Sequence, residues 1–556
     1  MFKPKLLTCL KDYSFTQFRS DLIAGLIVGV VALPLAIAFA IASGVSPDRG
    51  LVTAVVAGFL ISALGGSRVQ IGGPTGAFVV IVYAIVQRYG IDGLVLATLM
   101  GGVILIIMGL VGFGVALKFI PYPVTVGFTS GIAVIIALAQ VKDFLGLSMD
   151  QVPAEFVDKI VAYSQHITSF NHYAVVLSFT TVIIIFLWQR LSKVVPGSLV
   201  ALLTVTAVAY FLKLPVETVG SRFGDIPHAL SWPVFPAINL DMVQTLLPSA
   251  FTIAILAGIE SLLSAVVADG MIGGKHRSNT ELVAQGIANI ASALFGGMPA
   301  TGAIARTATN VHNGGRTPVA GIVHALTLVL IMYLFAKWVV YIPLACLSGI
   351  LVLVAYRMSE WKSFVMILRS PRSDVVVLLI TFLLTVIMDL TVAIEVGVVL
   401  SAFLLIHRLS LTPNIGIISR DFKANEDNGD DLELHQEEIP NGVEVYEIIG
   451  AFFFGVASTF IETMNNIEKQ PKVRILRMRN VLSVDATALN ALRHVVRNAK
   501  KHNLAVVLSG IHAQPMMALR QSGLYEEIGE ENVLPNIDAA LERAREVLKI
   551  SEQEDK

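Results

Sequence analysis

Apolar residues dominate the first three quarters of the chain in long runs that short polar stretches separate. A helix needs about 20 apolar residues to cross a bilayer, and fewer if it stops partway. Fourteen segments meet this expectation: Leu22–Ala42, Leu51–Leu64, Thr75–Val86, Leu94–Leu117, Val124–Ala139, Ala174–Trp188, Ser198–Leu212, Leu246–Val267, Leu282–Phe295, Gly302–Asn310, Val319–Phe335, Leu344–Tyr356, Val375–Met388 and Val392–Ile406. Because no convincing cleavage site follows the first run, we interpret it as a retained span rather than a signal peptide.

Composition excludes several protein classes. Only 15% of the 556 residues are charged and 55% are hydrophobic, whereas soluble chains carry about 25% charged residues. A wholly soluble, disordered or disulfide-built protein is therefore excluded. Nearly half of the charged residues lie after Leu409, which predicts a soluble tail. The net charge of −1 gives no basis for nucleic-acid binding, and Cys9 and Cys346 predict no disulfide.

Loop charges predict the orientation in the membrane. With an even number of spans, the N-terminus and the tail lie on one side, and most loop Lys and Arg residues then face the cytoplasm. We expect a bacterial inner-membrane protein organised as a cytoplasmic N-terminus (1–20), transmembrane repeat one (21–212), an extracytoplasmic loop (213–244), transmembrane repeat two (245–410), an acidic linker (411–440) and a cytoplasmic α/β domain (441–550).

The two halves of the membrane region share a motif. Thr75-Gly76-Ala77 follows Gly-Gly-Pro directly, and Thr301-Gly302-Ala303 is preceded by Gly-Gly-Met-Pro with Ala300 between, at an offset of about 226 residues. Seven spans per half is an odd number, so the second copy is inverted in the membrane. Inverted repeats with short, Gly/Pro-interrupted segments at matching positions are typical of secondary transporters and indicate their binding site.

Each motif predicts a helix that begins at mid-membrane depth. Pro74 and Pro299 disfavour helix before them, and Thr75 and Thr301 can cap the half-helix that follows. Free N–H groups at a helix start carry partial positive charge. Two such starts facing each other would bind an anion. We expect these donors near Ala77–Phe78 and Ala303–Ile304.

Glu260 and Arg306 are charged residues that lie within predicted spans. Glu260 costs roughly 2.5–3.5 kcal/mol at the bilayer centre on insertion scales, so it is functional by default, as a proton site or a cation ligand. Ser264 lies one turn further on the same face. Arg306 follows the second half-helix start and could place a fixed positive charge beside the anion. The alternatives are a structural carboxyl at Glu260 and an Arg306 that pairs with Glu260 or a backbone carbonyl.

The tail alternates strand and helix. Asp485 is predicted to cap a helix from Ala486 to Asn498. No His/Cys/Asp cluster has metal-ligand spacing and no P-loop is present, so we expect no cofactor, no ATP-driven mechanism and no enzyme. The predicted strands are Val443–Ile449, Val473–Met478 and Leu504–Leu508.

The sequence resembles the sulfate permease (SulP) family of anion transporters with a C-terminal STAS domain. The resemblance spans nearly the whole chain. It rests on Ala32–Gly44 (ALPLAIAFAIASG), Gly72–Val80 (GGPTGAFVV), Gly127–Gly131 (GFTSG), Lys142–Leu147 (KDFLGL), Gly258–Gly270 (GIESLLSAVVADG), Lys275–Ile287 (KHRSNTELVAQGI), Ala303–Asn310 (AIARTATN) and Val484–Leu489 (VDATAL).

The resemblance implies a helical membrane fold of two inverted seven-span repeats, divided into a core and a gate. It also implies a homodimer, elevator-like movement of the core, and a substrate held between the two half-helices. The substrate site carried over comprises Phe39, Thr75, Gly76, Ala77, Phe78, Ala303, Ile304 and Arg306. The ion-coupling site carried over comprises Glu260 and Ser264.

The resemblance leaves the anion open. Many sulfate-transporting members have Pro-Gln in the first span, where this chain has Pro34-Leu35. The motifs resemble the C4-dicarboxylate branch most, which implies proton-coupled uptake of succinate, fumarate or aspartate. Sulfate and bicarbonate are the alternatives, with proton or sodium coupling or anion exchange. Bicarbonate-transporting relatives typically have Asp and Thr where this chain has Glu260 and Ser264. A membrane-anchored STAS scaffold is a further alternative.

Overall fold

A computed structural model describes residues 2–115, 121–149, 152–153, 155–191, 196–224, 232–234, 240–388, 390–411, 415–418, 439–465 and 471–554. The chain divides into two compact units, Met1–Ser401 and Ala402–Lys556. The first half of the membrane region contains α1 (Lys5–Cys9), α2 (Phe15–Ala42), α3 (Pro47–Leu64), β1 (Gly72–Gly73), α4 (Val79–Val111), α5 (Tyr122–Ala139), α6 (Val141–Leu145), α7 (Phe156–His166), α8 (His172–Leu191), α9 (Gly197–Phe211) and α10 (Val219–Phe223).

The second half repeats this order. It contains α11 (Leu240–Ile272), α12 (Ser278–Leu294), β2 (Thr301–Gly302), α13 (Ile304–His312), α14 (Pro318–Val339), α15 (Leu344–Met358), α16 (Trp361–Ile367), α17 (Arg372–Ile387) and α18 (Leu390–Leu411). Each of the fourteen predicted spans overlaps a helix of the described chain. In that part of the chain, seven helices are long and apolar enough to cross a membrane alone, and the bent pair α7–α8 would make an eighth.

Two predicted spans lie within α4. The helix is interrupted at Gly90, whose φ of +68° is in the left-handed region, where glycine has no Cβ penalty. The kink at Gly90 therefore divides α4 into two helical parts, one for each predicted span. The second ends at Val111, short of the predicted Leu117, which lies outside the described residues.

Helix contacts follow the predicted inversion. In the core, α4 packs on α11 and α12, while its counterpart α14 packs on α2 and α3. In the gate, α5 packs on α17, and α15 packs on α8. We call α2–α4 and α11–α14 the core helices, and α5, α8, α9, α15 and α17 the gate helices. These symmetric contacts support the 7+7 architecture.

Small residues allow the core helices to approach closely. A methyl group added to Gly102 of α4 would lie 2.7 Å from the carbonyl oxygen of Gly286 in α12. In the reverse direction, a methyl group on Gly286 would lie 2.5 Å from the carbonyl oxygen of Gly102. Backbone thus meets backbone at this crossing, as is common between membrane helices.

The tail forms a five-stranded sheet of order β3-β4-β5-β6-β7. Its elements are β3 (Ile415–Ile418), β4 (Val443–Phe452), α19 (Phe454–Asn465), β5 (Val473–Val484), α20 (Ala486–Lys501), β6 (Ala505–Ser509), α21 (Ala513–Gln521), α22 (Leu524–Ile528), β7 (Val533–Leu534) and α23 (Ile537–Glu554). The edge strand β3 is antiparallel to β4 and the remaining pairs are parallel. One buried cluster joins the sheet to α19 and α20, and another joins it to α23.

The predicted start of α20 in the tail is confirmed. Asp485 accepts a hydrogen bond from the Ala488 N–H at 2.8 Å, which is the predicted cap of α20. Its other oxygen accepts from the Phe454 N–H at 3.0 Å, so one carboxylate serves two helix starts. The strand β3 lies within the range expected to be an acidic linker. The acidic part of that linker, 421–438, lies outside the described residues.

Candidate functional site

A two-stranded ladder joins the starts of the two half-helices. Gly72 pairs with Gly302, and Gly73 pairs with Thr301, in antiparallel register. The chain after β1 enters a 3-10 turn, Gly76–Phe78, that leads into α4, and the chain after β2 enters α13. The ladder therefore brings together two helix starts that lie about 226 residues apart in the sequence, as the motif predicted.

The predicted threonine caps are wrong. Thr75 occupies the cap position of the 3-10 turn, but its buried hydroxyl makes no cap bond and has no hydrogen-bond partner among the described residues. Thr301 lies two residues before the cap of α13, because its pairing with Gly73 keeps the chain extended as far as Ala303. The Thr301 hydroxyl instead bonds the Ser261 hydroxyl at 2.7 Å and the Ala257 carbonyl at 3.2 Å.

The N–H donors also differ from the prediction. Phe78 donates its N–H to the Thr75 carbonyl at 3.3 Å, and Ala303 donates its N–H to the Ile71 carbonyl at 2.8 Å. A helix start has no intrahelical acceptors for its first N–H groups. Among the described residues at the two helix starts, the N–H groups left without a backbone acceptor are therefore those of Gly76, Ala77, Ile304, Ala305 and Arg306.

Arg306 lies beside this ladder, in the first turn of α13. Its side chain is 2% exposed, and one terminal nitrogen, Nη2, donates to the Pro74 carbonyl at the end of the β1 segment. The other, Nη1, has no hydrogen-bond partner among the described residues. A methyl group added to Gly73 would lie 2.5 Å from Nη1, so the bare glycine leaves room for the guanidinium. The described chain contains no ion pair between Arg306 and Glu260. Of the two alternatives for Arg306, only the bond to a backbone carbonyl is present, and it involves Nη2 alone.

Core and gate side chains meet at Gly76. A methyl group added there would lie 3.3 Å from Cε1 of Phe39 in α2, 3.2 Å from Cδ1 of Ile136 in α5 and 3.1 Å from Sδ of Met358 in α15. Phe39 therefore lies against the half-helix start, as the resemblance implied. Ile136 and Met358 are gate residues that the sequence did not single out, because one apolar residue among many gives no signal.

The remaining site residues differ in exposure. Ala77, Phe78 and Ala303 are buried, whereas Ile304 is 40% exposed at the start of α13. The α13 side of the paired helix starts is thus the more open one.

Glu260 and Ser264 have different surroundings. Glu260 is half-buried in α11 and has no hydrogen bond or ion pair with any described residue. Ser264 is fully buried, and its hydroxyl lies 3.3 Å from the Thr307 hydroxyl, which accepts from the Ile71 N–H. Ser264 thus contacts Thr307 of α13, whose hydroxyl also bonds the chain just before β1.

Ser261 positions β2, and the sequence did not single it out. Its hydroxyl accepts a hydrogen bond from the Gly302 N–H at 3.0 Å and contacts the Thr301 hydroxyl. Ser261 directly follows Glu260, so α11 carries both the acid and the anchor of β2. A polar residue beside an intramembrane acid is the signal that could have identified it. Among the described residues, no group of His, Cys, Asp and Glu could hold a metal ion.

The chain matches two known families. Residues 18–381 match the sulfate permease family and residues 436–542 match the STAS domain. Over 530 residues the chain is 42% identical to the "Putative sulfate transporter YvdB" of Bacillus subtilis, covering 95% of this chain and 98% of that protein. It is 31% identical over 557 residues to the "Bicarbonate transporter BicA" of Synechocystis, covering 97% of each.

Solved structures share the fold. The chain is similar to SLC26A9 with a TM-score of 0.87 and 18% identity, covering 99% of this chain and 93% of that one. It is also similar to the transmembrane domain of a cyanobacterial bicarbonate transporter, BicA, with a TM-score of 0.63 and 31% identity, covering 70% of this chain and 98% of that one. The chain therefore belongs to the sulfate permease family of anion transporters, with a STAS domain at its C-terminal end, and it is not an enzyme.

Proposed function

We propose that this protein is a secondary active transporter of a small inorganic oxyanion, sulfate or bicarbonate, and that the anion binds between the starts of α4 and α13. The observation that carries the proposal is Arg306, a buried guanidinium whose Nη1 has no partner among the described residues. A buried charge without a counter-charge is costly. A bound oxyanion would supply both the charge and a hydrogen-bond acceptor.

The substrate class follows from the names of the relatives and from the first span. Proteins similar to this chain are named sulfate or bicarbonate transporters. These names favour the inorganic alternatives over the C4-dicarboxylates that the sequence motifs indicated, for which the comparisons give no support. Between the two inorganic anions, Pro34-Leu35 favours bicarbonate, since the glutamine of many sulfate-transporting members is absent.

Glu260 is the proposed coupling group. It is a half-buried carboxylate of α11, and the neighbouring Ser261 contacts β2 directly. A change in the charge of Glu260 would therefore alter the position of Ser261, and through it the position of β2 and the start of α13. We propose a proton as the coupling ion, because Glu260 has no ion-pair partner among the described residues and carboxyls within membrane spans serve as proton relays. Sodium is the alternative.

The transport cycle proposed is elevator-like. The core helices would carry the anion past α5 and α15, and the contact of Gly76 with Ile136 and Met358 lies on that boundary. We further propose a homodimer in the bacterial inner membrane, with the N-terminus and the STAS domain in the cytoplasm. This orientation follows from the Lys and Arg distribution of the loops.

An uptake panel in proteoliposomes tests the function. Labelled sulfate, bicarbonate and succinate are each offered with a proton gradient, a sodium gradient or no gradient. We expect uphill uptake of sulfate or bicarbonate with the proton gradient. Succinate uptake alone would restore the C4-dicarboxylate hypothesis, and sodium dependence would replace the proton as the coupling ion.

The same panel separates transport from a scaffold role. Arg306→Ala should raise the KM for uptake of the preferred anion about 10- to 150-fold, while the variant stays folded by size-exclusion chromatography. A wild-type protein that moves none of the three anions under any gradient would contradict the proposed function.

A further inference from the structure

A large cavity opens between core and gate on the side of the membrane domain that carries α7 and α10. Its volume is about 1120 Å³. Core residues Val79 and Val80, at the start of α4, line one wall, and gate residues Ile135 and Leu344 line another. We call this space the outer cavity, because the loop charges predict that this side faces away from the cytoplasm. It ends within one helical turn of Gly76 along the chain.

A buried lysine projects into the outer cavity. Lys159 of α7 is 5% exposed and lines the cavity, with its Nζ 5.3 Å from the ring centroid of Tyr83 in α4. The Tyr83 hydroxyl donates to the Val152 carbonyl at 2.6 Å, which fixes the ring. No ion pair or hydrogen bond joins the Lys159 ammonium to any described residue. Among the described residues, the Tyr83 ring is thus the one group that stabilises the Lys159 charge, through a cation–π contact.

The carboxylates of the cavity do not neutralise Lys159. Two of the three belong to another cation, since Arg222 binds Asp143 at 2.7 Å and Glu217 at 2.5 Å. Glu155, one turn before Lys159, lines the cavity without forming an ion pair with it. The charged residues that line the cavity are Arg88, Lys142, Lys159, Arg222, Asp143, Glu155 and Glu217.

A second polar group is buried on the same face of α7. Tyr163 follows Lys159 by one helical turn and is also 5% exposed. Its hydroxyl is buried and has no hydrogen-bond partner in the described part of the chain. Buried polar groups are nearly always hydrogen-bonded. Of these two groups, the Lys159 ammonium lines the outer cavity and is the donor that an oxyanion there would meet.

We propose that Lys159 forms an outer anion-binding subsite that receives the transported oxyanion before it reaches the paired helix starts. The subsite rests on the proposed function for its ligand class. Tyr83 lies seven residues beyond Gly76, which is about 10 Å along a helix. An anion at Lys159 would therefore occupy a cavity that extends to the start of α4, and its positive charge would attract anions into that cavity.

Transport measured separately from the two faces tests the subsite. In sided proteoliposomes of the full chain, with labelled sulfate and labelled bicarbonate as probes, Lys159→Met should raise the KM for uptake from the α7 face about tenfold or more. The KM from the opposite face and the maximal rate should stay within about twofold. Lys159→Arg, which keeps the charge, should restore most of the affinity. Lys213→Met removes an exposed lysine from the same side and should change neither KM.

An unchanged KM from the α7 face in Lys159→Met would overturn the proposal, and so would an equal rise from both faces.

If the wild-type protein moves neither anion, the proposed function fails, and a second measurement still decides the subsite. Ala84→Cys places a thiol in the outer cavity of a chain whose Cys9 and Cys346 are replaced by serine and alanine. A negatively charged thiol reagent should react faster than a positively charged one, and Lys159→Met should lower that rate ratio about tenfold. An unchanged ratio would show that Lys159 attracts no anion.

Discussion

Replacing Gly286 by alanine should destabilise the core at the crossing of α4 and α12. The added methyl group would lie 2.5 Å from the Gly102 carbonyl oxygen and 2.9 Å from the Ile106 backbone nitrogen. Ordinary contacts begin near 3.4 Å, so the helices must separate by about 0.9 Å. Overpacking of a close-packed interior costs about 1–3 kcal/mol. That cost corresponds to a fall of about five- to 150-fold in the folding equilibrium constant.

The assay is thermal unfolding of the purified full chain in detergent, with Gly270→Ala as the matched control. Gly270 is also helical, but a methyl group there meets no atom within 4 Å. The control should be as stable as the wild type or slightly more stable, because alanine restricts the unfolded chain. A Gly102→Ala/Gly286→Ala double variant should lose less than the sum of the single changes, since one separation relieves both contacts. Equal midpoints for Gly286→Ala and Gly270→Ala would refute the described packing.

Three further outcomes are expected. Arg306→Ala should weaken anion affinity about 10- to 150-fold by calorimetry in nanodiscs, since a hydrogen bond to a charged group contributes about 1.5–3 kcal/mol; unchanged affinity would exclude direct contact. Glu260→Gln should abolish proton-driven accumulation while downhill anion flux persists, and retained uphill uptake would remove Glu260 from coupling. Asp485→Ala should lower the unfolding free energy of the STAS domain by about 0.5–2 kcal/mol in denaturant unfolding of the full chain, whereas Asp485→Asn should lose less; equal loss in both variants would count against the cap.

The membrane architecture could be predicted because its signals are local. Long apolar runs predict spans by length alone, and the spacing of two Gly/Pro-interrupted segments predicts which helices start inside the membrane. The meeting of these helix starts, at Gly73 and Thr301, was therefore predictable, and the structure confirms it.

The polar contacts within the site were not predictable in the same way. Thr301 has the residue type of a cap, yet its strand pairing moves the helix start to Ala303–Ile304. Tertiary contact thus overrides a local preference. The amphipathic helix α7 was missed for a related reason, because a search for apolar spans passes over a helix with only one apolar face. Lys159 was missed with it, and only the fold shows that this lysine is buried against Tyr83.

The ladder between β1 and β2 has a consequence for biogenesis. The first strand leaves the ribosome about 230 residues before its partner, which at roughly 5–20 residues per second is a delay of about 12–46 seconds. During that time the Gly72–Gly73 backbone lacks the pairing that it has in the finished site, and unpaired backbone is costly in lipid. The first repeat therefore depends on the insertion machinery or on trapped water until the second repeat arrives. Truncation between the repeats should leave a chain that the cell's quality control recognises as incomplete, even though every span of the first repeat is present.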